Sequence, residues 1–155
     1  MFVAARMSKG LYSARSIQEF AIEMHLFSAK WFESLPSTNR FLTELLLKTP
    51  DLAAGTVVAT AHQTAGRGRY ERVWRSQPGE DLACSILVRA HVSAERVPCL
   101  SMAAGLAVSA ALERFGLVPR VKWPNDVLAG GRKIAGILSE YVPTGDGGEK
   151  CCVVG

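Results

Sequence analysis

Residues 62 to 74 read His-Gln-Thr-Ala-Gly-Arg-Gly-Arg-Tyr-Glu-Arg-Val-Trp, so that Gly66 and Gly68 interleave with Arg67 and Arg69, and Arg72 and Arg75 stand close by. Glycine lets a ligand approach the main chain closely. Guanidinium groups grip carboxylates and phosphates through a planar fork of N–H donors. A small, pliable backbone with clustered fixed charge is what a loop closing over an anionic ligand requires. A solvated basic turn has the same composition, and the segment alone does not separate the two readings.

Three further islands carry polar chemistry. Ser37-Thr38-Asn39 places two hydroxyls and an amide where a helix is expected to begin. They suit capping of that helix, and they also suit presentation of donors and acceptors to a ligand. Lys122-Trp123-Pro124-Asn125-Asp126 packs a cation, an aromatic face, a rigid turn, an amide and a carboxylate into five positions. Such a cluster at a strand end is where α/β folds place ligand sites, although a plain turn with Trp123 in the core would account for it too. Finally, Lys133 opens the apolar run Ile134-Ala135-Gly136-Ile137-Leu138. A lysine held rigid in this way can stabilise a developing oxyanion or phosphate, whereas a lysine at a hairpin end can simply face water.

Other chemistries are missing from the sequence. It contains neither a Gly-x-Ser-x-Gly nucleophile turn nor the Gly-Lys-Ser/Thr ending of a phosphate-binding P-loop. His25, His62 and His91 are dispersed, and Cys84, Cys99, Cys151 and Cys152 form no C-x-x-C pair. A structural metal is therefore not expected, and Cys151-Cys152 read as buried strand residues in a protein of the reducing cytosol.

The elements that must position these residues follow from periodicity. The 155 residues, 48% hydrophobic and 21% charged with a net charge of +4, suit one soluble domain. The basic excess is too small to imply nucleic acid, and no apolar run is long enough to span a membrane. Ile17–Phe27 has helical spacing, and the arginine- and lysine-bearing N-terminus faintly matches a transit peptide but suits a frayed extension better. Phe27–Phe32 reads as a short strand. Ser37 is expected to cap a helix carrying Phe41, Leu42, Leu45 and Leu46 on one face, ended by Pro50. Thr56–Ala61 is a buried strand leading into the 63–75 loop, Leu82–Arg89 alternates as a strand, and Pro98–Phe115 is a core helix stopping at Gly116. Strands are expected at Val118–Trp123, Lys133–Tyr141 and Lys150–Val154, with a Gly130-Gly131 hairpin turn. The fold class is α/β (α+β), a mixed sheet flanked by helices.

Taken in order, Ser37-Thr38-Asn39, the Gln63 to Arg69 loop with Arg72 and Trp74, Lys122 to Asp126 and Arg132 to Leu138 resemble the catalytic domain of biotin protein ligases. The resemblance covers roughly Phe32 to Gly155, with residues 1–30 as an N-terminal extension. It implies the fold shared with class II aminoacyl-tRNA synthetases. It also implies a two-step reaction, in which biotin and MgATP give biotinyl-5′-adenylate and the biotinyl group then passes to a lysine of a biotin carboxyl carrier protein.

Carried onto this sequence, the resemblance puts Ser37, Thr38, Asn39 and Gln63 around the biotin head group and Gly66, Arg67, Gly68, Arg69 and Trp74 in the closing loop. Lys122, Trp123, Asn125 and Gly136 fall among the substrate-binding residues. Arg69 and Lys133 are the catalytic cations, Lys133 contacting carboxylate or bridging phosphate oxygens. Asp126 is a candidate for the Mg²⁺ that accompanies ATP, and a homodimer is an open possibility of assembly.

Three departures accompany the match. Many members have glycine where Glu71 stands, and an acid there is expected to pair with Arg69 or Arg72 or to sit in water. About thirty residues precede the domain, too few for the winged-helix DNA-binding domain of repressor-type members, so no DNA partner is expected. The family continues beyond Gly155 with a Gly-rich strand end and further nucleotide-contacting segments, so the catalytic domain is expected to be incomplete here. A truncated adenylate-binding remnant and a lipoate or octanoate transferase are the alternatives. A nucleic-acid binder lacks the aromatic platform that class requires.

Overall fold

Ser37 has extended backbone (φ −161, ψ 131), and its Oγ accepts from the Arg40 N–H, so the first helix starts where the sequence puts its cap. This and all that follows comes from a computed structural model that describes residues 28–90, 93–144 and 150–155. The expected Ile17–Phe27 helix lies outside the described residues. Helix α1 (Thr38–Lys48) buries Leu42 and Leu46 completely, with Phe41 and Leu45 packed beside them. Thr49 closes it by donating to the Leu45 and Leu46 carbonyls, just before Pro50.

The face of α1 lies on a five-stranded sheet whose strands lie in the spatial order Ser28–Phe32 (β1), Thr56–Thr60 (β2), Ala83–Ala90 (β5), Lys150–Val154 (β10) and Ser139–Val142 (β9). The β1–β2 pair is parallel and the other pairings are antiparallel. Side chains alternate across a strand, so β5 and β10 feed two cores. Val58, Leu87, Cys151 and Val153 face α1, whereas Val154 and the partly buried Ile86 and Val88 face α2 (Val97–Glu113). Cys151 and Cys152 are both buried, as their apolar context implied.

Helix α2 runs on past the expected start into a short turn at Ala94–Arg96, and ends beside Gly116, whose φ is +76. It also covers a three-stranded antiparallel meander of β6 (Pro119–Lys122), β7 (Asp126–Ala129) and β8 (Arg132–Gly136). Gly130 and Gly131 have φ of +56 and +77 and join β7 to β8. That pair of left-handed residues is the two-residue hairpin for which glycine is favoured.

Two sequence expectations need correction. Lys133–Tyr141 is not one strand: β8 and β9 belong to different sheets, with Ile137 and Leu138 between them. The Ile137 N–H donates to the Asn125 carbonyl, while Leu138 exchanges two backbone bonds with Gly155 (2.7 and 2.9 Å). Each residue thus pairs with a different partner, which an apolar run in sequence does not reveal. The 63–75 segment is also more than a loop. Strands β3 (Gly66–Arg67) and β4 (Val73–Trp74) form a small ribbon, tipped by a tight turn over Arg69–Glu71.

Candidate functional site

The start of α1, the root of the ribbon and the middle of β5 meet in a buried polar cluster. Gln63 Oε1 accepts from the Thr38 backbone N–H at 2.8 Å and from the Thr38 hydroxyl at 3.2 Å. The Ser85 hydroxyl lies 2.7 Å from Thr38 Oγ1 and 2.5 Å from Asn39 Oδ1. Asn39 Nδ2 donates to the Leu138 carbonyl (3.1 Å) and to Glu140 Oε2 (2.7 Å). Ser37, Thr38, Asn39 and Ser85 are all buried. Buried polar groups in this density must satisfy one another, and these do so as a connected network. Gln63 is placed by backbone: Leu35 and Gln63 bridge in parallel, extending the β1–β2 pair to the ribbon root.

Gly66 and Trp74 set the ribbon's close packing. A Cβ at Gly66 would stand 2.8 Å from the Trp74 carbonyl oxygen and 3.0 Å from Gln63 Nε2, so only glycine fits. At Gly68 the nearest atom would be 3.6 Å away. At the ribbon tip Tyr70 and Glu71 both have φ of +57. Non-glycine residues adopt this left-handed conformation at a cost. The position where the resemblance expects glycine is thus one where backbone geometry favours it. Of the expected alternatives Glu71 takes the one facing water and contacts neither Arg69 nor Arg72. It lies 3.9 Å from Arg67 and its side chain is 84% exposed.

Arg69 points toward the β6–β7 turn. Its Nη1 is 3.5 Å from Asn125 Oδ1, and its Nη2 donates to the Tyr70 hydroxyl at 3.0 Å. Asn125 also clamps Ile137, donating from Nδ2 to the Ile137 carbonyl and accepting from its N–H. Arg69, Tyr70, Pro124, Asn125, Ser101 and Ser139 line one open cleft of ≈ 220 Å³.

Lys133 reaches the other side of the same turn. Its Nζ is 2.7 Å from Asp126 Oδ1, an ionic contact rather than an aligned hydrogen bond, and 5.0 Å from the Trp74 ring centre. The register explains the reach. Asp126 pairs with Gly136 across β7–β8, and the Lys133 side chain runs along its own strand over Gly136. A Cβ on Gly136 would meet Lys133 Cε and Nζ and Trp74 Cζ3 at 2.9 Å each. A bulge near Val127–Leu128 adjusts the pairing at this point.

The structure therefore brings together Thr38, Asn39, Gln63, Gly66, Trp74, Gly136 and Lys133, and carries Arg67 and Arg69 toward them on the ribbon. It does not bring in Trp123, which is 75% exposed, precedes a cis peptide to Pro124 and is not the core residue that a plain turn would have supplied. Lys122 is exposed on β6, opposite Asp126 in register. Ser37 serves as the helix cap. Asp126 faces Lys133, and the described residues hold no group of three His, Cys, Asp or Glu side chains able to bind a metal. Sequence reasoning missed Ser85, Glu140 and Gly155. The signal for Glu140 was an acid inside an apolar strand. Gly155 leaves no room for a Cβ beside Asn39 and Ser85.

Comparison with known proteins identifies the family and the fold. The sequence model of the Biotin/lipoate A/B protein ligase family matches residues 31–155. The chain is 45% identical to the biotin–[acetyl-CoA-carboxylase] ligase of Mycobacterium tuberculosis over 109 residues, 67% of this chain and 41% of that protein. Its fold superposes on the Leishmania major biotin protein ligase in complex with biotinyl-5-AMP with a TM-score of 0.66 at 27% identity, covering 83% of this chain and 56% of that one. For the Aquifex aeolicus biotin protein ligase in complex with biotin and ATP the TM-score is 0.58 at 27% identity, covering 83% and 51%. The chain spans 27–41% of the length of the first curated relatives it matches. A mixed sheet flanked by helices is thus the class II synthetase-like fold of the biotin protein ligases. By sequence and fold, the chain belongs to the biotin/lipoate A/B protein ligase family.

Proposed function

We propose that the protein whose catalytic domain includes residues 31–155 is an ATP-dependent biotin ligase of the cytosol. It activates biotin to biotinyl-5′-AMP and transfers it to a lysine of a biotin carboxyl carrier protein. The observation that carries this reading is the arrival of two cations from separate elements at one turn: Arg69 against Asn125 and Lys133 against Asp126, beside an open cleft. Relatives named as biotin–[acetyl-CoA-carboxylase] ligase, and a similar structure holding biotin and ATP, support the substrate class.

The chemistry needs little beyond placement. Biotin's carboxylate oxygen attacks the α-phosphorus of MgATP, the bond to the bridging oxygen breaks, and pyrophosphate leaves. Carboxylate and triphosphate repel each other, and fixed guanidinium and ammonium groups offset that repulsion most strongly as charge builds at the phosphorus. Neither a covalent enzyme intermediate nor a general base is required for this step, in keeping with a sequence that lacks a nucleophile motif. In this reading Thr38, Asn39 and Gln63 face the ureido ring, the ribbon carrying Arg67, Gly68 and Arg69 covers the adenylate, and Lys122 and Trp123 stand exposed at its rim. Closure of the ribbon keeps water from the mixed anhydride. The Mg²⁺ enters as part of MgATP, with Asp126 the carboxylate in contact with Lys133.

The test is incubation of the full-length protein with biotin and MgATP followed by mass spectrometry. Biotinyl-5′-AMP is the expected product, and its absence from folded protein would contradict the proposal.

A further inference from the structure

Glu140 occupies β9 opposite Val153 of β10, an acid two positions before the core residue Val142 on the same strand. Its two carboxylate oxygens serve different partners. Oε2 accepts from Asn39 Nδ2 at 2.7 Å, inside the buried polar cluster. Oε1 meets Arg67 Nη2 at 3.2 Å, on the first strand of the ribbon. The Glu140 side chain is 31% exposed and that of Arg67 39%. One carboxylate therefore ties the ribbon to the start of α1, across 73 residues of chain on one side and 101 on the other.

Both contacts need an acceptor with no proton of its own. Arg67 and the Asn39 amide nitrogen are donors only, and an ionised carboxylate can satisfy both at once. By fixing Nδ2, Glu140 also fixes the opposite end of Asn39, where Oδ1 meets Ser85. The other ion pair of Arg67, with Glu71, stays within the ribbon and does not anchor it.

We propose that Glu140 is a positioning residue that latches the Gly-Arg ribbon over the polar cluster before ligand arrives. The part of this that concerns biotin rests on the function proposed above. The latch sets how much of the unliganded protein has its ribbon docked, and so how much is ready to bind. A mostly undocked ribbon lowers the apparent affinity in proportion to the docked fraction and leaves the chemical step of bound substrate unchanged.

Glu140→Gln tests this in the full-length protein. The amide keeps the shape but can accept at one oxygen only, so one of the two contacts is lost. Losing a charge-assisted hydrogen bond is worth about tenfold in the docking equilibrium. Without ligand, trypsin cleavage within the Arg67–Arg75 segment should quicken about tenfold, read by mass spectrometry of the fragments. With biotin and MgATP, KM for biotin should rise about tenfold while kcat for adenylate formation stays within about threefold.

A cleavage rate within twofold of the parent overturns the latch, and so does a fall in kcat with KM unchanged. Arg67→Gln removes the exposed half of the contact without entering the buried cluster. It must also quicken cleavage at Arg69, Arg72 and Arg75, and failure to do so counts against the proposal even if Glu140→Gln does not fold. The cleavage arm needs no activity. A parent protein that makes no adenylate contradicts the proposed function, while faster cleavage in its variants still upholds the latch.

Discussion

Lys133 Nζ sits 2.7 Å from Asp126 Oδ1 because Gly136 has no side chain to block the path between them. The cation is aimed by three features: a cross-strand register that pairs Asp126 with Gly136, the Trp74 ring beneath the ammonium, and the bare α-carbon it crosses. Lys133→Ala should lower the rate of biotinyl-adenylate formation about 10²–10³-fold. Rapid-quench measurement of pyrophosphate release would show it, and a rate within threefold of the parent would remove Lys133 from the chemistry.

The two loop glycines should differ. Gly66→Ala forces a Cβ to within 2.8 Å of the Trp74 carbonyl, and the ribbon must shift to accept it. We expect a loss of about 1–3 kcal/mol. Gly68→Ala meets nothing closer than 3.6 Å and should alter stability by no more than about 0.5 kcal/mol. Urea midpoints of the two variants decide it, and equal effects would mean the ribbon does not pack as described.

Ser85 is buried between Thr38 and Asn39. Ser85→Ala strips a partner from the Asn39 carbonyl oxygen in a site closed to water, at a cost of about 1–3 kcal/mol. Chemical denaturation of the variant should show that loss together with a raised KM for biotin. A neutral substitution would mean that the cluster is satisfied without it.

How far these features could be read from sequence depended on how local they are. The Ser37 cap, the Leu42 and Leu46 face, the two faces of β5 and the Gly130-Gly131 hairpin follow from neighbours within a few residues. Each appears close to where periodicity and turn chemistry put it. Arg69, Lys133, Gln63 and Gly66 were singled out by residue type, and the fold brings them to adjoining positions. Ser85 and Glu140 escaped notice because their partners lie 46 to 101 residues away. The break at Ile137-Leu138 was hidden for the same reason, since its hydrogen bonds go to Asn125 and Gly155 and not along a continuous strand.

Burial raises the Cys152 thiol above its ordinary value, and neighbouring Cys151 adds to the rise. The folded protein therefore holds the proton more tightly than the unfolded chain does. This contribution is fully present below the ordinary thiol value, near pH 8.5, and is lost as pH climbs through the raised value. Cys152→Ser keeps the shape without a thiol to ionise. Its denaturation midpoint should fall less steeply than the parent's above about pH 8.5. Identical slopes would contradict a raised thiol.

Biotin-dependent exchange of labelled pyrophosphate into ATP by the full-length protein tests the proposed activity most directly, because it reads the adenylation step alone, without a carrier. Exchange should require biotin, should not be supported by lipoate or octanoate, and should be largely abolished in Arg69→Ala and Lys133→Ala. Absence of exchange, exchange driven by lipoate in place of biotin, or full exchange in both variants would contradict the proposed activity.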